Sequence, residues 1–376
     1  MKARWDIFCT VVDNYGDIGV CWRLARQLAR EHGIGVRLWV DDLAPLARLA
    51  PAANPAAASQ QIEGVEVRVW PQDFPAVAAG DIPDVVIEAF ACELPESYLA
   101  AMAVAPRQPV WTNLEYLSAE DWVQGCHGLA SPHPRLPLTK HFFFPGFIEG
   151  TGGLLREADY AARRSAFDAA AFRRSLGLAE PAAGAITVSL FAYENAALGS
   201  LLSAWSEGQQ PIQALVPEGR LLPQVAAWLG ATPAAGQVFR RGALTLQVLP
   251  FLPQAEYDKL LWCCDLNFVR GEDSFVRAQW AAKPFVWHIY PQAEDHHRIK
   301  LAAFLKRYSA DLDPETATAM ENFWDAWEME GDAGLAWSAF AVALPALQSY
   351  AVYWAERLAG RPDLASALVS FAIKSR

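Results

Sequence analysis

Near the start of the chain, Asp13-Asn14-Tyr15-Gly16-Asp17-Ile18-Gly19 puts two carboxylates and two glycines into seven residues. Carboxylates so spaced can accept a proton or hold a cationic group, and glycine lets backbone approach a ligand closely. The turn is not a dinucleotide fingerprint. GxGxxG is absent, and acids stand where a pyrophosphate would otherwise rest on helix amides. A lone Asp17 would read first as a helix cap. Two acids together favour a loop built to present carboxylate to a ligand.

A second constellation is Arg270-Gly271-Glu272-Asp273-Ser274-Phe275. Asp273 and Ser274 are good N-cap types, which is the ordinary reading of a strand-to-helix turn. Arg270 beside free helix amides also describes a diphosphate site, with a guanidinium for the anionic oxygens. Glu272 would repel phosphate, so it suits a sugar or ribose hydroxyl. A third set, Phe191, Tyr193 and Phe251 with Gln254, follows two expected strands, where rings can sandwich a base. Core packing is the default for any one of them. Asp311-Leu312-Asp313 imitates a metal-binding DxD, but Pro314 follows it and a capping turn explains it. His296-His297 reads as a helix start, and Cys263-Cys264 as the buried end of a helix.

The elements that must position these groups alternate. Trp5 to Val12 is β-rich, and Ile18 to Glu31 carries Val20, Leu24 and Leu28 near helical spacing, with Gly33 as a stop. Further strands are expected at Val36 to Val40, Val65 to Trp70, Asp84 to Phe90 and Pro109 to Thr112, with a helix from Glu93 to Val104. An Ala/Pro-rich stretch from Ala44 to Ala58 reads as loop. The pattern lapses from Phe142 to Gly153 and resumes with strands at 185–194, 212–216, 244–248, 265–269 and 284–289. Helices fall between the later strands, and from His296 to Lys374 only helices are expected. Strands separated by helices imply βαβ units and parallel sheets. The chain is thus expected to be α/β, with residues 1–150 as a first Rossmann-like domain joined by a C-terminal helix at 360–376. Residues 151–184 read as a linker and 185–359 as a second Rossmann-like domain. Two doubly wound domains facing across a cleft, followed by helices, are similar to the GT-B glycosyltransferase architecture.

Composition narrows the function. At 376 residues the chain suits two domains. Its 31 Lys and Arg against 42 Asp and Glu leave −11, which disfavours nucleic acid as a partner. A hydrophobic share of 53% with 15 Trp excludes disorder over most of the chain. We expect no membrane span, because no charge-free apolar run of about 18 residues is anticipated. An early Asp6 argues against a signal peptide. Six cysteines without CxxC spacing fit reduced thiols in a cytoplasmic protein.

The strings VVDNYGDIGVCWRLARQL, FVRGEDSFVRAQWAAKPFVWHIYPQ at 268–292 and Trp111 to Ser118 (WTNLEYLS) closely resemble the EarP family of protein-arginine rhamnosyltransferases, over essentially the full length. The resemblance implies a GT-B fold, dTDP-β-L-rhamnose as donor, inversion at the anomeric carbon, and an arginine on a loop of elongation factor P as acceptor. It implies no cofactor and no metal. The family's essential carboxylates fall on Asp13, Asp17 and Glu272. Its donor contacts fall on Phe191, Tyr193, Phe251, Gln254, Arg270, Glu272, Asp273, Ser274 and Tyr290, and the acceptor side on Asn14, Tyr15 and Gly16. Asp17 is expected as general base with Asp13 orienting the guanidinium. Two other readings stay open at this level: a GT-B enzyme with a small-molecule acceptor, and a non-catalytic nucleotide-binding module, which would have no use for Asp17.

Overall fold

The computed structural model describes residues 3–13, 15–291 and 296–375. The chain divides into two compact units, Met1–Ala158 with Ala359–Arg376, and Asp159–Leu358.

The first unit is built on an eight-stranded sheet: β1 (Arg4–Cys9), β2 (Gly35–Val40), β3 (Ser59–Ile62), β4 (Val65–Val69), β5 (Val85–Ala89), β6 (Val110–Leu114), β7 (Ala130–Pro132) and β8 (Thr139–Phe143). Their order is β3-β4-β2-β1-β5-β6-β8-β7. Pairing is parallel except where β3 and β7 close the two edges. β5 and β6 are buried at every residue, so they read as unbroken apolar runs rather than alternating ones. The helices are α1 (Gly16–Glu31), α2 (Ala44–Leu49), α3 (Glu96–Ala103) and α4 (Val123–Cys126). One core cluster joins Phe8, Trp39, Val86, Tyr98, Met102 and Trp111. It encloses Asp6, whose carboxylate is satisfied by Arg37 at 2.6 Å, Tyr98 at 2.7 Å and Trp39 at 3.2 Å. A buried acid needs such partners.

The second unit opens with α5 (Tyr160–Ser165) and α6 (Ala169–Ser175). Its six strands are β9 (Ile186–Leu190), β10 (Ile212–Pro217), β11 (Val238–Arg241), β12 (Leu244–Leu249), β13 (Leu266–Arg270) and β14 (Phe285–His288). They run in the order β11-β12-β10-β9-β13-β14, parallel except at β11. Between and after them come α7 (Leu198–Glu207), α8 (Leu222–Leu229), α9 (Gln254–Cys263), α10 (Asp273–Ala281), α11 (His296–Tyr308), α12 (Pro314–Glu328) and α13 (Ala333–Ala359). The last helix, α14 (Leu364–Lys374), belongs to the first unit, where Phe371 meets Phe143 edge-on at 5.6 Å.

Several expectations need correction. The sequence from 333 to 355 carries no charge, so an apolar run long enough for a membrane span does exist. In the fold it is the body of α13, whose Trp337, Phe340, Leu347 and Trp354 are buried. Tyr350 donates to the Tyr308 carbonyl at 2.6 Å within the same unit. The stretch 151–184 is more than a linker, since α5 and α6 lie in it. Residues 44–49 are helical despite the loop-like composition, with Pro45 in the first turn, where its missing N–H costs nothing. The short strands β3, β7 and β8 carry too few residues to show a pattern in sequence. Asp313 does cap α12, accepting from the Thr316 N–H at 3.0 Å.

Candidate active site

In each unit the candidate residues gather at the carboxyl ends of strands where the strand order reverses, the place where open α/β sheets bind ligands. In the first unit the reversal lies between β1 and β5, since β2 follows β1 on its other side. Asp17 sits in the first turn of α1 and is only 2% exposed. It is not the N-cap, a position held by Tyr15. Its carboxylate turns back on the loop instead. Oδ2 accepts the N–H of Val12 and of Asp13, both at 2.8 Å, and Oδ1 accepts the Tyr116 hydroxyl at 3.1 Å. The Gly16 N–H donates to the Asp13 carbonyl at 2.6 Å. A Cβ on Gly16 would lie 2.6 Å from Asp13 Oδ2, so this glycine leaves room for the second carboxylate. Asn14 lies outside the described residues.

Tyr116 is the residue that sequence reasoning passed over. It follows β6, and its ring stacks on Phe90 at 4.3 Å and 15°. Phe90 and Ala91 follow β5 with φ of 56° and 55°, a region that non-glycine residues rarely occupy. The Ala91 N–H is held by Asn113 Oδ1 at 3.0 Å, and Asn113 donates in turn to Glu115. The loops after β1, β5 and β6 thus converge on Asp17. The signal was present, because Tyr116 belongs to the string WTNLEYLS, but nothing in its spacing pointed to Asp17.

In the second unit the reversal lies between β9 and β13. Phe191 and Tyr193 leave the end of β9, and Arg270 ends β13. The guanidinium lies 4.6 Å from the Phe191 ring centre and 4.7 Å from that of Tyr193. Tyr193 also meets Tyr290 at 5.5 Å and His288 at 5.3 Å, both edge-on. Phe191 leans on the buried Tyr257 of α9 at 5.4 Å. Arg270 is 7% exposed, and among the described residues its Nη1 has no hydrogen-bond partner. A buried guanidinium nitrogen left so is costly, and an acceptor oxygen placed there would be stabilising.

Gly271 turns the chain from β13 into α10 with φ of 62°, and its carbonyl accepts from Trp287 at 2.8 Å. The helix is capped at Glu272 rather than at Asp273 or Ser274. Ser274 Oγ accepts the Arg270 N–H at 3.0 Å and donates to the Arg270 carbonyl, which ties the loop shut. The Asp273 carboxylate accepts from Gln254 and from Arg277, each at 2.8 Å, and Arg277 continues to Asp258 at 2.8 Å. Asp273 therefore orients Gln254 and is itself held by Arg277. Phe251 stands three residues before Gln254 in the loop between β12 and α9. Phe191, Tyr193, Arg270 and Tyr290 form one cluster, and Gln254 with Asp273 a second joined through buried charges. His288 lies in the string at 268–292, two residues before Tyr290, but its type and spacing alone did not single it out.

A family model described as Elongation-Factor P (EF-P) rhamnosyltransferase EarP matches residues 5–373. The chain belongs to the EarP family. A protein-arginine rhamnosyltransferase of Pseudomonas putida KT2440 is 54% identical over 377 residues, covering 99% of each chain. A protein of the same description from Shewanella oneidensis is 44% identical, covering 99% of this chain and 98% of its own. A solved structure described as the structural basis for EarP-mediated arginine glycosylation of translation elongation factor EF-P is 41% identical, with a TM-score of 0.71 and full coverage of both chains. An α-glucosyltransferase in complex with UDP and DNA is only 9% identical but reaches a TM-score of 0.51 over 99% of this chain and 100% of its own, a likeness of fold alone. The fold is that of the GT-B glycosyltransferases, and this EarP-family protein is a glycosyltransferase.

Proposed function

We propose that the enzyme transfers L-rhamnose from dTDP-β-L-rhamnose, with inversion, to an arginine side chain of elongation factor P. The observation that carries this reading is the Asp13–Asp17 loop, two carboxylates presented by a strand-end turn in a chain of this family. A small-molecule hydroxyl acceptor has no need of two such acids, and a mere nucleotide-binding module has no need of either. The donor belongs to the second unit. Phe251 and Phe191 offer faces for the thymine, Gln254 an amide for its edge, and Glu272 an acceptor for a sugar hydroxyl. Arg270, Tyr193, Tyr290 and the first-turn amides of α10 at Asp273 and Ser274 suit the diphosphate.

Arginine is a poor nucleophile because its lone pairs are delocalised and its pKa exceeds about 12. An ordinary carboxylate, with a pKa near 4, does not deprotonate it in the ground state. A gap of about 9 units corresponds to roughly 12 kcal/mol. The proton therefore leaves as the sugar–phosphate bond breaks and the new C–N bond forms. We assign the accepting atom to Asp17 Oδ1. Oδ2 is already saturated by two backbone donors, while Oδ1 has only the Tyr116 hydroxyl among the described residues. Asp13 orients the guanidinium and localises its charge. Arg270 and the α10 amides stabilise the charge that develops on the leaving diphosphate. The test is incubation with dTDP-β-L-rhamnose and purified elongation factor P, read by intact mass. A single added deoxyhexose on the acceptor, lost when its target arginine becomes lysine, is the expected result. An unmodified acceptor overturns the proposal.

A further inference from the structure

The parallel register of β13 and β14 sets Arg270 opposite His288, the last residue of each strand. Both are buried, at 7% and 5% exposure. Both pack on the same Tyr193 ring, the guanidinium over its face and the imidazole against its edge. Each also carries a buried nitrogen, Arg270 Nη1 and His288 Nδ1, with no hydrogen-bond partner among the described residues. Such groups are costly to bury alone, so two on adjacent strand ends describe a place completed by something that brings several acceptor oxygens. The motif around Arg270 accounts for one of them only.

We propose that His288 is a further ligand of the donor's diphosphate beside Arg270, and that its ring takes up a proton as the anionic donor enters. The proposal rests on the reading that this unit binds a nucleotide diphosphate sugar. The groups facing the ring fit it. Arg270 of β13 and His297 of α11 oppose its charging, whereas Glu194, held by Arg220, favours it. Tyr193 and Trp327 contact it as neutral rings, Tyr290 meets it through Tyr193, and Glu328 reaches only its neighbour, accepting the Ile289 N–H at 3.2 Å. Burial, then Arg270, lower the imidazole to about 4 without ligand. It is therefore neutral near pH 7 and adds no second cation beside Arg270. An opposite charge within about 4–6 Å raises a pKa by roughly 1–3 units, which brings this ring into the pH range between about 5 and 7. Protons bound more tightly in the complex mean tighter donor binding at lower pH.

The experiment is titration calorimetry of dTDP-β-L-rhamnose into the intact protein without acceptor, in two buffers of different ionisation enthalpy, from about pH 7.5 to about 5.5. The sugar diphosphate is the right probe because, unlike free dTDP, it has no terminal phosphate that titrates in this window. Expected are net proton uptake that grows as pH falls and a Kd that tightens several-fold. His288→Gln should abolish the uptake and flatten the Kd profile, while His297→Gln retains both. Donor binding that Arg270→Ala weakens, with no uptake in the wild type, overturns the role of His288 and leaves the donor site standing. Uptake lost in His297→Gln moves the proton to α11 and also overturns it. No donor binding at all overturns both readings.

Discussion

Asp17 is held more tightly than a surface acid in an ordinary turn, with two backbone donors and one phenol on a side chain that is nearly closed to solvent. A carboxylate fixed in this way would align as a base at lower cost. Asp17→Asn keeps the size but loses the proton-accepting oxygen. Transfer should fall by about 10²–10⁴-fold, the usual worth of a general base, with donor Kd within a few-fold of wild type. A variant retaining more than a tenth of the rate removes Asp17 from that role. Tyr116→Phe removes one hydrogen bond and leaves the stacked ring, so a loss of about tenfold in kcat is expected, with melting temperature little changed. On the donor side, Arg270→Ala and Phe251→Ala should each weaken free dTDP, read by calorimetry. For Phe251 the loss should be on the order of 1–3 kcal/mol, the worth of an aromatic–base stack. Unchanged affinity in both variants places the nucleotide elsewhere.

At the scale of elements, the loop into α1 works because Gly16 leaves the space that Asp13 occupies. Gly16→Ala should push the Asp13 carboxylate aside while the helix, which favours alanine, stays intact. A fall in kcat with unchanged melting temperature and unchanged donor affinity is expected, and an active variant would show that Asp13 need not stand where it does. The end of α12 carries another consequence. Glu328 is half-buried beneath the segment after β14, accepts only the Ile289 N–H in the contacts described, and is pushed up to about 8 by desolvation. Its folded value lies above the usual 4.5, so the folded state holds a proton that the unfolded chain has lost. Stability should therefore decline as pH rises from about 4.5 to about 8, by up to on the order of 4 kcal/mol. Glu328→Gln should melt close to wild type at about pH 5 and clearly above it at about pH 8. Parallel melting curves for the two proteins across that range would assign Glu328 an ordinary ionised state.

For the whole molecule the relevant property is its charge of −11. If the acceptor is a guanidinium on a protein loop, the net negative charge and the carboxylates of Asp13 and Asp17 should guide its encounter. Such attraction acts mainly on association and is screened beyond about 8 Å at physiological ionic strength. Rising salt should lower kcat/KM for the protein acceptor steeply, with a smaller change in the donor KM at saturating acceptor. A flat acceptor profile would leave recognition to shape and apolar contact, and give the two aspartates a chemical role alone.

The sequence by itself determined the layered α/β class, the two parallel sheets and most of the residues at their carboxyl ends. Those features are local: apolar runs such as Val85–Ala89 and Val110–Leu114, helical spacing in α1, and glycines at turns. The edge strands β3 and β7 were illegible because three or four residues carry no period, and that the charge-free α13 packs into a core rather than a membrane depends on which rings surround it. Side-chain assignments divided the same way. Asp13, Asp17 and Arg270 announce themselves by type and spacing, whereas Tyr116 is 99 residues from the carboxylate it holds. His288 meets Arg270 only because β13 and β14 pair in one register. Even the caps were decided in three dimensions. Asp17 and Ser274 have the chemistry of N-caps, yet the backbone directs one carboxylate to the preceding loop and one hydroxyl to the end of β13, because hydrogen bonds there close a turn that the helix alone leaves open.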